Sequence, residues 1–251
     1  MDENTNSLRL SGTVHELPVF GHEVFGEAFY HTTIAVPRLS VVADLLPATA
    51  SERLLPHEEL VPGQPICIEG QLRSYNKVIA GQGRLLITAF AQKIPAPSDD
   101  ENPNQISLFG TLCKQPGYRT TPFGREICDL MLAVNRAYGK SDYIPCITWG
   151  RTARFASHLK TGDKLQIAGR FQSRSYQKQL PDGTVQERTA YEVSVCRLTL
   201  KRDEHESAYH SGYENITVLR QEDFRSAAMD LELEQLSRGE SDRMQYTGEI
   251  M

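Results

Sequence analysis

The feature that most constrains this chain is an internal repeat. At an offset of 98, Gly12-Thr13 falls on Gly110-Thr111, Phe25-Gly26 on Phe123-Gly124, Val36 and Arg38 on Val134 and Arg136, and Asp44 and Pro47 on Asp142 and Pro145. At an offset of 99, Leu60 falls on Leu159, Gly63 on Gly162, Ile68 on Ile167, Gly70 on Gly169 and Ser74 on Ser173. Offsets this steady over roughly 60 residues make the chain two copies of one unit. Its 251 residues leave room for two small domains and a tail.

Both copies read as β-structure. In the first, Leu8, Leu10, Gly12 and Val14 alternate with Arg9, Ser11, Thr13 and His15, the pattern of a half-buried strand. Pro18 and Gly21 are expected to break it. Further strands are expected over 27–36, 66–74 and 84–91, with Gly81 and Gly83 in the turn before the last; 40–55 is ambiguous. The second copy parses more cleanly: strands over 106–113, 126–135, 143–149, 164–176 and 187–200. A loop spans 115–124, a short helix 152–160 with Phe155 and Leu159 facing inward, and a hairpin tip falls at Pro181-Asp182-Gly183. Five strands with a helix between the third and fourth is the layout of an OB-fold. The expected fold class is therefore all-β: two tandem five-stranded Greek-key barrels, with an acidic C-terminal tail. The expected boundaries are 1–94 and 104–202 for the barrels, 95–103 for a Pro-rich acidic linker, and 203–251 for a tail that is partly helical or disordered.

Charge separates the two copies. Residues 104–202 carry 16 Lys and Arg against 7 Asp and Glu, whereas residues 1–103 carry 7 against 13 and residues 203–251 carry 4 against 12. A basic block between acidic ones points to a polyanionic partner for that block alone. Within it, Leu165, Ile167, Gly169 and Phe171 share the parity of a barrel interior. Lys164, Gln166, Arg170, Gln172, Arg174 and Tyr176 share the outward parity. Tyr143 and Trp149 are six residues apart, so they lie on one strand face, roughly 20 Å apart. Two readings compete. The rings fill a core, or they form a platform on which bases stack while cations neutralise phosphates. The repeat supplies a control: where the second copy has Tyr143 and Trp149, the first has Leu45 and Ser51. Rings needed to fill the barrel would be needed in both copies, so the comparison favours the platform. An OB-fold alone could equally bind oligosaccharide or protein.

The second copy also resembles the bacterial single-stranded DNA-binding protein family. The resemblance rests on Thr121-Pro-Phe-Gly124, Ala133-Val-Asn-Arg136 with Tyr138, Asp142-Tyr-Ile-Pro145, Thr148-Trp-Gly150, Leu159-Lys-Thr-Gly162 and Gly169-Arg-Phe-Gln-Ser-Arg-Ser-Tyr176. It implies an OB-fold, binding of single-stranded DNA with little sequence preference, and assemblies presenting four OB-folds; for two barrels per chain this means a homodimer. The family's stacking positions fall on Tyr143, Trp149 and Tyr176, with Tyr138 the nearest counterpart of a fourth. Phosphates are assigned to Arg136, Lys140, Arg151, Arg170, Arg174 and Lys178. In the first copy only Tyr75 approximates Tyr176, and that acidic barrel is expected to serve assembly or a protein partner. The family usually ends in acidic residues and a Pro-Phe tip that recruits replication and repair proteins, which the resemblance offers as partners; this chain ends Gly248-Glu-Ile-Met251 and departs from that pattern.

Other functions have less support. Metal-spaced acidic clusters, a Ser/His/Asp arrangement and a Gly-rich phosphate loop are not seen, so an enzyme is not expected, nor is a cofactor. His205 and His210 lack a ligand framework for a metal. Five cysteines without a CxxC pair read as buried free thiols in a reducing compartment. The polar N-terminus lacks the pattern of a signal peptide, and a cytoplasmic, nucleoid-associated location is expected. The alternative function is an OB-fold adaptor, such as a replication-restart or mobile-element accessory protein, acting mainly through protein contacts.

Overall fold

Alternation of Leu8, Leu10 and Val14 with polar neighbours does build the first strand, and those three side chains are buried. The computed structural model describes residues 5–38, 42–55, 60–79, 81–97, 102–121, 123–179 and 183–201. The expected tail and parts of the linker and hairpin tip lie outside these. The first half contains β1 (Asn6–Val24), β2 (Glu27–Pro37), β3 (Ala43–Ser51), β4 (Pro65–Ile79) and β5 (Gln82–Lys93). The second contains β6 (Asn104–Leu112), β7 (Gly117–Thr120), β8 (Glu126–Asn135), β9 (Ser141–Trp149), α1 (Gly150–Ala156), β10 (Lys164–Gln179) and β11 (Val185–Lys201).

Pairing closes a ring in each half. β1 pairs with β2, β2 with β3, β3 in parallel with β5, β5 with β4, and β4 with β1. In the second half β6, β8, β9, β11 and β10 repeat the circuit, including the parallel step between β9 and β11. Each ring encloses apolar side chains, among them Leu10, Ile34, Leu46 and Leu72 in the first and Leu108, Leu132, Ile144, Leu165 and Phe171 in the second. The all-β expectation therefore holds.

Three local expectations do not. Pro18 and Gly21 do not end β1, which runs on to Val24 and pairs with β2 through register shifts between Glu16 and Val19 and between Phe20 and His22. A bulge accommodates a residue without an N–H. The loop over 115–124 contains the four-residue strand β7, paired with β8. The helix ends early: after Ala156 the chain tightens, His158 N–H donating to Phe155 O (3.1 Å) and Leu159 N–H to Ala156 O (3.1 Å). Leu159 is buried from this turn rather than from the helix.

Equivalent glycines stand where strands cross most closely. A Cβ on Gly12 would lie 2.3 Å from Ala35 O, and one on Gly110 2.5 Å from Ala133 O; on Gly70 and Gly169 it would lie 2.0 Å from Phe90 O and 2.2 Å from Ser194 O. Only a residue without a side chain fits these crossings. Buried Asn6 and Asn104 repeat another device. The Asn6 side chain donates to Leu72 O (2.7 Å) and accepts from Leu72 N–H (3.0 Å); Asn104 does the same with Phe171 O (2.6 Å) and N–H (2.9 Å). Each amide stands in for the backbone of a missing strand neighbour.

The halves are joined by antiparallel pairing of β1 with β6, in which Leu8 faces Ile106, its own counterpart in the repeat. A pseudo-two-fold axis therefore passes between them. Around it the halves exchange ionic contacts. Arg38 donates to both Asp44 oxygens (3.0 and 2.7 Å) and to Ser173 O of the other half (2.8 Å), while Asp44 accepts from Ser173 N–H (2.7 Å). Reciprocally, Arg136 donates to both Asp142 oxygens and to Ser74 O (3.1 Å), and Asp142 accepts from Ser74 N–H (2.5 Å). Asp142 receives a further bond from Arg73 (3.1 Å).

Burial would raise the Asp142 carboxyl. The hydrogen bond from Arg136, the Ser74 N–H, the charge of Arg136 and the bond from Arg73 outweigh burial and hold it below the usual carboxylate range. A depressed carboxylate contributes stability that is full above its unfolded value, near pH 4, and is lost as pH falls through the lower folded value. Urea denaturation should therefore show Asp142→Asn to be less stable at pH 7 by about 3 kcal/mol, the low end for breaking a buried pair because both guanidiniums keep some solvent contact. The deficit should narrow below pH 4. Gly169→Ala should cost about 2 kcal/mol in the same measurement.

Candidate nucleic-acid interface

Strand parity sets the outward face of the second half. On β9, Asp142, Ile144, Cys146 and Thr148 are buried, whereas Tyr143 is 46% exposed and Trp149 half-buried. Trp149 lies opposite Ile127 of β8. Its indole N–H donates to Ser194 Oγ on β11 at 3.3 Å, which holds the half-buried ring against β11. The Tyr143 backbone N–H donates to Ser74 Oγ at 2.7 Å, so the strand backbone that carries this ring is positioned partly by the first half. On β10, Leu165, Ile167 and Phe171 point inward as their parity requires, and Tyr176, 38% exposed, points out near the free end of the β10–β11 hairpin.

The basic residues fall into distinct settings. Arg174 is held by Glu192 (3.1 and 3.3 Å) and its guanidinium carbon lies 5.8 Å from the Tyr176 ring centre. Arg170 stands opposite Ser194 in register, and it lines a concavity of about 740 Å³ together with Arg9 and Glu69. Arg151 on α1 and Lys140 before β9 are exposed. Arg136 is engaged with Asp142 at the junction between the halves. The side chains of Tyr138 and Lys178 lie outside the described residues. Gln172, on the outward parity of β10, is buried and donates to Glu192 (3.1 Å).

β7 adds residues that the sequence did not single out as rings. Tyr118 is 43% exposed and donates to Glu126, and Arg119 pairs with Asp129 at 3.0 Å. The only signal was a four-residue stretch inside a Pro- and Gly-rich loop, too short for alternation to register.

In the first half, Leu45 stands 40% exposed and Ser51 buried at the positions of Tyr143 and Trp149. The expected match of Tyr75 with Tyr176 shifts. With Ser74 on Ser173 the offset in this strand is 99, so Tyr75 falls on Arg174 and Lys77 on Tyr176.

Cys67, Cys128 and Cys146 are buried, while Cys113 and Cys196 are only partly so; all five are free. Burial, with Asp129 nearby, pushes the Cys128 thiol up to about 11, and burial pushes Cys196 up to about 12. Among the described residues no group of three His, Cys, Asp or Glu could hold a metal ion, and no helix is long and apolar enough to cross a membrane.

Residues 103–202 match the model of the single-strand binding protein family. Single-stranded DNA-binding protein A of Bacillus subtilis is 39% identical over 83 residues, covering 30% of this chain and 48% of that protein. Single-stranded DNA-binding protein 2 of Listeria innocua is 31% identical over 119 residues, covering 45% of this chain and 74% of that protein. The chain spans about half the length of several of the curated relatives it matches. In fold, it is similar to the wild-type single-stranded DNA-binding protein of Thermus aquaticus, with a TM-score of 0.60, 22% identity, and coverage of 82% of this chain and 96% of that one. The matched residues include every strand of the second half and the whole of its ring-bearing face, and the chain belongs to the single-strand binding protein family.

Proposed function

We propose that this protein coats single-stranded DNA with little sequence preference and without catalysis, protecting it during replication, recombination or repair. The observation that carries this reading is the outward face of the second half, which bears exposed Tyr143 and Tyr176 and a half-buried Trp149. Bases stack on these rings, with Tyr138 as a fourth; each stack is worth ~1–3 kcal/mol and is indifferent to base identity. Lys140, Arg151, Arg170, Arg174 and Lys178 neutralise phosphates. Arg136, and to a lesser degree Arg174, are partly spent on carboxylates and contribute less. The chain is two OB-fold domains, 1–94 and 104–202, joined by residues 95–103 and followed by an acidic tail, and two chains associate to present four barrels. A cytoplasmic, nucleoid-associated location follows from this role.

A second reading is favoured by one observation. The two-residue turn of the β1–β2 hairpin has φ of 49° at Phe25 and 77° at Gly26, and the hairpin displays Leu17, Val19, Phe20, Val24 and Phe25 to solvent. Such an apolar tip suits a protein partner, as an OB-fold adaptor would need.

Trp149 is the only tryptophan, so its fluorescence reports on this face alone. Oligo-dT should quench it at low salt and lose that effect at high salt; no quenching together with no oligonucleotide retained on a filter would sink the proposal. Lys140→Ala and Arg151→Ala should each flatten the slope of log affinity against log salt by about 0.7, the value for one phosphate contact on a single strand. A pull-down with the Trp149→Ala, Tyr176→Ala double variant separates the readings, because an adaptor would keep its protein partner.

A further inference from the structure

The ring-bearing face of the second half contains one buried group of the wrong sign for a polyanion. On β11, Val193 and Val195 point into the barrel, so Glu192 and Ser194 lie on the outward parity. Ser194 receives the Trp149 indole N–H, and Glu192 stands two residues along the same face. The Glu192 side chain is only 7% exposed. A carboxylate there costs desolvation unless it is paired and hydrogen-bonded, and it works against attraction of phosphates.

Its partners define what it does. Gln172, opposite it in register on β10, donates to Oε1 at 3.1 Å. Arg174 donates from Nε to Oε1 at 3.1 Å and from Nη2 to Oε2 at 3.3 Å. The carboxylate thus grips one edge of the guanidinium at two points, which fixes its plane as well as its position. The Arg174 guanidinium carbon lies 5.8 Å from the Tyr176 ring centre, so plane and ring stand side by side on the outward face. Among the described residues no hydrogen bond engages the Nη1 end, and the Arg174 side chain is 31% exposed against 7% for Glu192.

The repeat again supplies a control. Arg73 faces Thr88 across β4 and β5 as Gln172 faces Glu192 across β10 and β11. Thr88 therefore holds the place of Glu192, and Tyr75 that of Arg174. The first copy closes the same ring of strands with neither member of the ion pair. An ion pair needed to build the barrel would be needed in both copies. Glutamate and arginine are present together in the copy that carries Tyr143, Trp149 and Tyr176, and absent together from the other.

We propose that Glu192 is a positioning residue for nucleic-acid binding. It acts through Arg174, holding the guanidinium beside Tyr176 so that the Nη1 end meets the phosphate of a nucleotide stacked on that ring. This inference rests on the reading of the second half as a DNA face. The ordering of a long side chain is met during folding and does not fall on the binding step.

The test is the affinity of the full chain for oligo-dT of about 16 nucleotides, the upper site size of one OB-fold. Charge alone predicts that Glu192→Gln, which removes a negative charge from the face, tightens binding. Positioning predicts the opposite sign: affinity falls about 2- to 10-fold, the cost of ordering one side chain on binding. In an Arg174→Gln background the same substitution should cause no further loss. Arg174→Lys keeps the charge without the two-point fork, and should bind as weakly as Arg174→Gln. Unchanged or tighter binding by Glu192→Gln overturns the proposal. An equal loss in both backgrounds also overturns it, since Glu192 would then support the strand and not Arg174. Affinity of Arg174→Lys equal to that of the unaltered protein overturns it as well, and decides the matter should Glu192→Gln fail to fold. Absence of Trp149 quenching by oligo-dT in the unaltered protein overturns the DNA reading itself.

Discussion

Two buried carboxylates hold the halves of this molecule in register. Asp44 and Asp142 are almost wholly removed from water, where an isolated charge would cost many kcal/mol. Each is tolerated because an arginine of its own half and a backbone N–H of the other half converge on it. The same arginines donate to carbonyls across the junction. Neither aspartate can be satisfied unless the opposite half is in place. The pairing of β1 with β6 brings the halves together, and the carboxylates fix the position at which they stop.

That arrangement bears directly on the ring-bearing surfaces. Ser74, which meets Asp142 through its N–H, also receives the Tyr143 N–H through its hydroxyl. One residue of the first half thus anchors both the buried charge of the second and the backbone that carries its exposed ring. The rings are held on strands with supported backbones, so the surface proposed to stack bases is set before a ligand arrives, which lowers the ordering cost of binding.

Much of this was legible in the sequence. The repeat predicted two equivalent rings, and five of the pairs it rests on have a direct structural reason. Gly12 and Gly110, Gly70 and Gly169 sit where strands cross; Arg38 and Arg136, Asp44 and Asp142, Ser74 and Ser173 make the junction. Parity gave the outward placement of Tyr143 and Tyr176. What was not legible depends on pairing across strands. Along one strand, Leu45 and Ser51 stand where the second copy has Tyr143 and Trp149, and no ring takes their place there. Phe29 and Phe90 occupy the space from β2 and β5, a relation that exists only once the strands lie side by side. The run of β1 through Pro18 escaped for a similar reason, since a bulge depends on its partner strand.

The pairing of Leu8 with Ile106 has a consequence for how the chain could diversify. A residue facing its own counterpart is the mark of a self-complementary interface, so two separate copies of such a unit would meet through this seam as a symmetric dimer, subject to their concentration. Joined in one chain, the copies meet intramolecularly at a fixed effective concentration. They are also free to differ. In a symmetric dimer every substitution appears twice, whereas here one copy could keep tryptophan on its third strand while the other moved its bulk to the strands beside it. Covalent linkage thus turned a symmetric seam into the condition for an asymmetric surface.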